Sequence, residues 1–177
     1  MLCRRALLAT LPALLAGCAT PPPAPPELLL RLPPAALGRR LAWAQRLQVR
    51  AGDREFEFEA LLEVDEQSLR LALLAFARPL ARLHWDGSTL QQHTAVGWPP
   101  AVSAERVLSD LVLVLWPAAV VATALPADWS LQYDSTAREL RWRGMAVQRV
   151  HYDGAQRVLL EHLVLGYRMQ IDSQSLP

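Results

Sequence analysis

The side chains able to do acid, base, nucleophilic or metal chemistry are few. His84, Asp86 and Ser88 stand at alternate positions, and alternate positions of a strand share a face, so they offer the residue types of an acyl-transfer triad. Yet Leu83 and Trp85 lie on the other side of that alternation and claim the interior, which turns His84 and Asp86 toward water. Ser88 follows Asp86-Gly87, a hairpin signal, and not the strained Gly-x-Ser-x-Gly elbow of a hydrolase. His151, Asp153 and His162 could meet across a hairpin as metal ligands, but with only four histidines in the chain they read more simply as polar strand residues. Glu55, Glu57, Glu59 and Glu63 read as the solvated side of a strand, not as an acid and base pair. There is no Gly-rich phosphate loop. The formal net charge is +1 and no basic stripe marks a nucleic-acid binder. The residues therefore point to no catalytic group, no metal ion and no cofactor, and to a protein that works by binding.

One residue carries a covalent expectation. Arg4 and Arg5 precede an apolar run over 6–16, too short to span a bilayer as a mature helix but long enough for a secretory signal. The run ends in Leu15-Ala16-Gly17-Cys18, which resembles the bacterial lipobox, where cleavage precedes a cysteine whose thiol takes a diacylglyceryl group. Cys18 is thus the expected lipidation site, and its acyl chains make membrane lipid the first expected partner. By resemblance to the sorting rule of enteric bacteria, Ala19 in place of Asp directs such a protein to the outer membrane, facing the periplasm. Cys3 leaves with the signal, so no thiol remains for a disulfide. The Pro-rich stretch over 19–26 reads as an extended, semi-rigid tether. The expected organisation is a signal over 1–17, the lipidated cysteine and tether over 18–40, and one domain over 41–177. About 160 residues remain after cleavage, enough for a single core without disulfides.

The elements of that domain follow from period two. In 55–64 the set Phe56, Phe58, Ala60, Leu62 and Val64 faces one way and the glutamates the other. Further strands read at about 41–50, 68–76, 80–86, 89–96, 129–134, 139–143, 147–152 and 158–172. They are separated by Gly52-Asp53, Asp65-Glu66, Asp86-Gly87, Asp134-Ser135 and Asp153-Gly154. In the last run Leu163, Leu165, Tyr167, Met169 and Ile171 share a face. After Trp98-Pro99-Pro100 the pattern changes: Ser103 can cap a helix whose apolar side is Val107, Leu108, Leu111, Val112 and Leu115, and Pro117 ends it before a second short helix over 118–125. Five strands, a helical insert and four strands predict a mainly β fold, a bent antiparallel sheet or half-barrel covered by helices. An apolar cavity between the two layers is expected. Trp85, Leu111, Leu115, Trp116, Trp142 and Tyr167 are the candidates for lining it, although core packing accounts for each equally well.

The block Ala104-Glu105-Arg106-Val107-Leu108-Ser109-Asp110-Leu111, continuing to Leu115-Trp116-Pro117, with Trp85-Asp86-Gly87 upstream, resembles a family of uncharacterised bacterial lipoproteins encoded in aryl-polyene gene clusters. That family is similar in turn to LolB, the outer-membrane lipoprotein receptor. The resemblance covers about 41–171 and implies a LolA/LolB-like half-barrel. In LolB a loop after the third strand exposes a leucine in an Asn-Pro-Leu-Gly context and helps place lipoproteins in the membrane. Here Arg78-Pro79-Leu80-Ala81 stands at that place without the Asn and Gly, and the resemblance implies a membrane-insertion role for Leu80.

The function expected from these readings is binding or transfer of an amphiphile such as a lipoprotein, a glycolipid or an aryl-polyene lipid. A non-catalytic adaptor of an envelope assembly, docking to other envelope proteins, is the alternative, and a lipid-modifying enzyme a weaker one. Each buried methylene of an acyl chain adds about 0.8 kcal/mol, so several chains on Cys18 make anchoring effectively permanent. Cys18→Ala should accordingly leave the outer-membrane fraction in a high-salt wash, whereas retention of that variant would contradict lipidation.

Overall fold

The computed structural model describes residues 23–98 and 102–177. The alternating runs form ten antiparallel strands. Five precede the helical insert: β1 (Leu41–Ala51), β2 (Arg54–Val64), β3 (Leu69–Ala75), β4 (Arg78–Trp85) and β5 (Leu90–Thr94). Five follow it: β6 (Trp129–Tyr133), β7 (Ala137–Trp142), β8 (Met145–Asp153), β9 (Arg157–His162) and β10 (Tyr167–Ser175). They make one sheet in the order β5-β4-β3-β2-β1-β10-β9-β8-β7-β6, two five-stranded meanders joined where β1 pairs with β10. The edge strands β5 and β6 do not pair with each other, so the sheet is an open half-barrel.

The final run is not one strand. It breaks at 163–166 into a hairpin, with Tyr167 opposite His162 and Gly166 at φ 69°, and this separates Leu163 and Leu165 from the inward set Tyr167, Met169 and Ile171. Both leucines are exposed in the turn. The alternation of apolar residues runs through the turn unbroken, which hides the hairpin from a period-two reading.

Register shows why the inner face holds together. Leu62, Val64, Leu69, Leu71, Leu73, Ala81, Leu83 and Trp85 are buried on one half, and Leu140, Val150, Val158, Leu160 and Ile171 on the other. On the outer face, cross-strand pairs such as Arg70–Glu63 at 3.3 Å and Arg46–Glu57 at 3.6 Å dispose of the glutamates in water.

Covering the inner face falls to α1 (Ala104–Leu115) and α2 (Ala118–Thr123). Ser103 caps α1, its Oγ accepting from the Arg106 amide at 3.1 Å, and Trp116 with Pro117 stops it. The last carbonyls are met from the sheet: Arg138 Nη1 donates to Leu113 O at 2.6 Å and Trp116 O at 2.7 Å, and Tyr152 Oη to Val114 O at 2.7 Å. A cation at that end suits the helix dipole. Burial lowers the Arg138 pKa and pushes the Tyr152 hydroxyl up to about 12, so Tyr152 stays a proton donor at neutral pH.

The helix is more buried than an amphipathic lid would be. Arg106, Ser109 and Leu113 are buried along with Leu108 and Val112, while Val107 and Leu111 are only half-buried. The cause is a third layer. Residues 27–33, expected as part of a free tether, lie extended along α1. Leu30 N donates to Ser109 Oγ at 3.0 Å, Trp85 Nε1 donates to Leu32 O at 2.8 Å and Trp116 Nε1 to Pro33 O at 3.1 Å. A short 3-10 turn (Pro34–Leu37) then leads to β1. Gly87 takes φ 93°, which residues with a side chain rarely adopt, and packs against Pro33 and Pro34, where a Cβ would make ordinary contact at 3.4 to 3.5 Å.

Because Leu113 is packed on all sides and Leu111 is not, Leu113→Ala should cost about 2 to 5 kcal/mol and Leu111→Ala distinctly less. Urea denaturation of the two variants measures the difference, and equal losses would contradict this layering.

Candidate ligand-binding site

A β-bulge begins the site. Leu140 pairs with Gln148 and Arg141 with Ala146, which leaves Val147 as the extra residue of β8 and aims its side chain beside that of Leu140. Around this pair lies a cavity of about 240 Å³, bounded by Trp129, Leu140, Val147, Gln148, Arg106 and His162, with Val164 and Leu165 of the β9–β10 turn and residues 25–28 at its rim. The lining is apolar apart from Arg106, Gln148, His162 and Glu27.

Those polar groups are ordered by burial. Asp110, on α1, accepts from Gln148 Nε2 at 2.9 Å and from the Tyr167 hydroxyl. Burial raises the Asp110 pKa against the lowering effect of those two bonds, and burial, then the Asp110 carboxylate, raises that of Tyr167. His162 packs on the Tyr167 ring with centroids 5.2 Å apart, and its Nδ1 accepts from the Leu165 amide at 3.1 Å, which fixes the turn. Burial, and secondarily the nearby Arg106 charge, depress the His162 pKa to about 4. Arg106 donates Nη1 to Leu28 O at 3.1 Å and Nη2 to Glu27 Oε1 at 2.7 Å. Its side chain is 9% exposed, and among the described residues its Nε has no hydrogen-bond partner.

None of the six expected cavity residues lines this space. Trp85 and Trp116 are buried in the filled part of the core, each indole spent on a strap carbonyl. Leu115 and Trp142 are buried, Leu111 is half-buried, and Tyr167 stands one contact away, behind His162 and Asp110. The strap occupies the volume that the sheet-and-helix reading left open, and the cavity lies instead at the rim, toward the β7–β8–β9 half. The signals for it in the sequence are Arg106, an arginine set among the apolar residues of a helix, and His162 at a strand end.

Leu80 is not on a loop tip. It is the extra residue of a second bulge, between Pro79 opposite Leu74 and Ala81 opposite Leu73, and is half-buried with its carbonyl accepting from the Ala95 amide at 2.9 Å. The tip of the β3–β4 hairpin is Phe76-Ala77, with φ of 51° and 57° in residues that are neither Gly nor Asn, and Phe76 is 98% exposed. Such a turn normally uses Asn-Gly, so this backbone is strained. The Cys18 site and its lipobox lie outside the described residues.

The other candidate groups are dispersed. Asp86 Oδ1 accepts from Ser88 N, Ser88 Oγ and Thr89 N, which lower its pKa to about 2 and make it a turn former. Ser88 Oγ is thereby engaged with Asp86 and not with His84. His151 and Asp153 are exposed while His162 is buried, and the described residues contain no cluster of three potential ligands able to hold a metal ion.

Residues 42–175 match the family model DUF3261, a protein of unknown function. The chain belongs to that family. The match spans all ten strands, both helices and the polar cluster on α1, and it begins beyond the strap. No curated protein matches the sequence.

His162 supplies a pH signature of the site. Its folded pKa lies below the usual 6.5, so the unfolded chain binds the extra proton between about pH 6.5 and pH 4. Stability must then fall as pH drops through that window and level off, for this group, below about 4. Denaturation midpoints across the window should show this loss in the parent and a flatter profile in His162→Gln; superimposable profiles would contradict a neutral, buried His162.

Proposed function

We propose that the protein is an outer-membrane lipoprotein, anchored through acylated Cys18, whose periplasmic half-barrel binds an amphiphile and hands it on without breaking a bond. The observation that carries this reading is the apolar cavity at the rim of the sheet, open to a set of exposed apolar turns. Ligand sites of this kind are concave, mostly apolar and provided with a few placed polar groups. The candidate ligands are those the family resemblance suggests: a lipoprotein acyl moiety, a glycolipid or an aryl-polyene lipid.

Strand direction places several features at one end of the sheet. The turns at Gly52-Asp53, Phe76-Ala77, Arg143-Gly144 and 163–166 lie there, together with residues 95–97 after β5. Phe76, Val96, Met145, Leu163, Val164 and Leu165 are exposed in or beside them. At the opposite end three of the four turns are closed by Asp65, Asp86 and Asp134, each carboxylate held below its usual pKa by backbone amides. Pro25 lines the rim cavity with Val164 and Leu165, so the chain leading back to Cys18 leaves from the apolar end. Seven residues reach at most about 25 Å when extended. A bilayer holding the Cys18 acyl chains is therefore within reach of the apolar turns, and Phe76, not Leu80, is the residue set to enter it.

The adaptor reading has one observation in its favour, the tightly filled core around Trp85 and Trp116. A transfer assay separates the two. The purified protein, freed of its native lipid cargo, should take up a fluorescent long-chain amphiphile and deliver it to acceptor vesicles. Phe76→Glu should slow delivery severalfold with stability unchanged within about 0.5 kcal/mol, as is usual at a surface site. A parent protein that takes up no amphiphile would overturn the binding reading in favour of the adaptor.

A further inference from the structure

Arg106 is a cation in an unfavourable place. It occupies the first turn of α1, where the helix dipole favours anions, and its guanidinium is buried beside an apolar cavity. A charge so placed is costly unless a counter-charge and hydrogen bonds meet it. Of the acids on the same helix, Glu105 lies toward Arg31 at 3.9 Å, and Asp110, one turn on from Arg106, is taken up by Gln148 and Tyr167. His162 is held uncharged at neutral pH by its depressed pKa and adds no second cation to the cavity. Among the described residues, every side-chain hydrogen bond of Arg106 goes to the strap: one to the carbonyl of Leu28 and one to the carboxylate of Glu27.

The fit of Glu27 is incomplete. A guanidinium binds a carboxylate best through two parallel N–H groups, and Nε with Nη2 is one such edge. Glu27 engages Nη2 alone and, among the described residues, leaves Nε buried without a partner, while its own side chain is 60% exposed. Behind it the strap presents leucines at alternate positions: Leu28 and Leu32 are half-buried and Leu30, at 4% exposure, belongs to the core. This stretch pairs with no strand; side chains of α1 and two indoles hold it. A carboxylate followed by a narrow apolar ridge has the chemical outline of a long-chain aliphatic acid.

We propose that Arg106 is the headgroup site for the carboxylate of a long-chain aliphatic acid, and that residues 27–32 are a built-in occupant which this ligand displaces. The proposal rests on the amphiphile-binding reading above and names its ligand class. Exchange of Glu27 for the ligand carboxylate leaves the charge beside Arg106 unchanged and allows Nε to be satisfied. Withdrawal of Leu28 and Leu30 extends the 240 Å³ rim cavity along α1, in the direction an acyl chain must take.

Binding of palmitate and of hexadecanol to the full mature protein, by displacement of a fluorescent probe, tests this. Palmitate should bind at least about tenfold more tightly than the alcohol, the worth of a charge-assisted hydrogen bond to a buried group. Glu27→Gln, which keeps the shape of an exposed side chain and removes its charge, should tighten palmitate about two- to fivefold, the scale of a partly exposed ion pair, and leave hexadecanol unaltered. Arg106→Gln should bring the two ligands to equal affinity. Equal affinities in the parent, with Glu27→Gln changing neither, would overturn the carboxylate site while leaving amphiphile binding in place. Failure to bind either ligand would overturn both.

Discussion

An open ten-stranded sheet with one apolar face has to be covered, and two helices of 12 and 6 residues cannot cover ten strands. The strap completes the layer. It also answers a second demand, because Trp85 and Trp116 are buried with indole N–H groups that need acceptors, and the carbonyls of Leu32 and Pro33 supply them. The closed half of the core, the burial of Arg106 and Ser109 and the position of the remaining cavity all depend on this one segment lying where it does. The strap itself has no ladder hydrogen bonds and is held by side chains of α1 and two indoles, which makes it the layer that the proposed ligand displaces.

The two ends of the sheet differ in chemistry for a reason of chain direction. Antiparallel strands send every second turn to the same end, so a meander sorts its turns into two sets. In one set, the turns at Asp65, Asp86 and Asp134 are closed by Asp side chains that accept two backbone amides each. The other carries Phe76, Met145 and residues 163–165, with the Phe76-Ala77 turn kept in a strained backbone by its flanking strands. Exposed apolar side chains gathered at one end add nothing to folding, and together with the exit of the chain at Pro25 they account for the proposed orientation toward lipid.

Much of the fold was legible from sequence because half-buried strands alternate and Asp-based turns are conspicuous. Eight of the ten strands, the helix cap at Ser103 and the stop at Pro117 could all be read directly. Three things could not. The hairpin at 163–166 has an apolar turn, so its alternation continues without a break. The Phe76-Ala77 turn uses residues that ordinarily avoid positive φ, and only the register on both sides imposes it. The strap is Leu-rich and flanked by prolines on both sides, so it reads as a continuation of the tether, and its docking depends on α1 and two tryptophans remote in sequence. The cavity candidates drawn from the helix and the tryptophans went astray for that third reason: they border the volume the strap fills, and the site assembled from Arg106, Val147 and His162 emerges only when a bulge, a helix turn and a strand end are brought together.

Ligand entry at Arg106 requires the strap to be the movable layer of the binding site, and amide hydrogen exchange on the mature protein with and without a saturating long-chain amphiphile tests this most directly. The Leu30 amide, bonded to Ser109 Oγ, and its strap neighbours should be protected in the free protein and lose that protection when the ligand is bound, while β1, β2 and β10 keep theirs. A stoichiometric complex in which the strap amides remain as protected as before would contradict it.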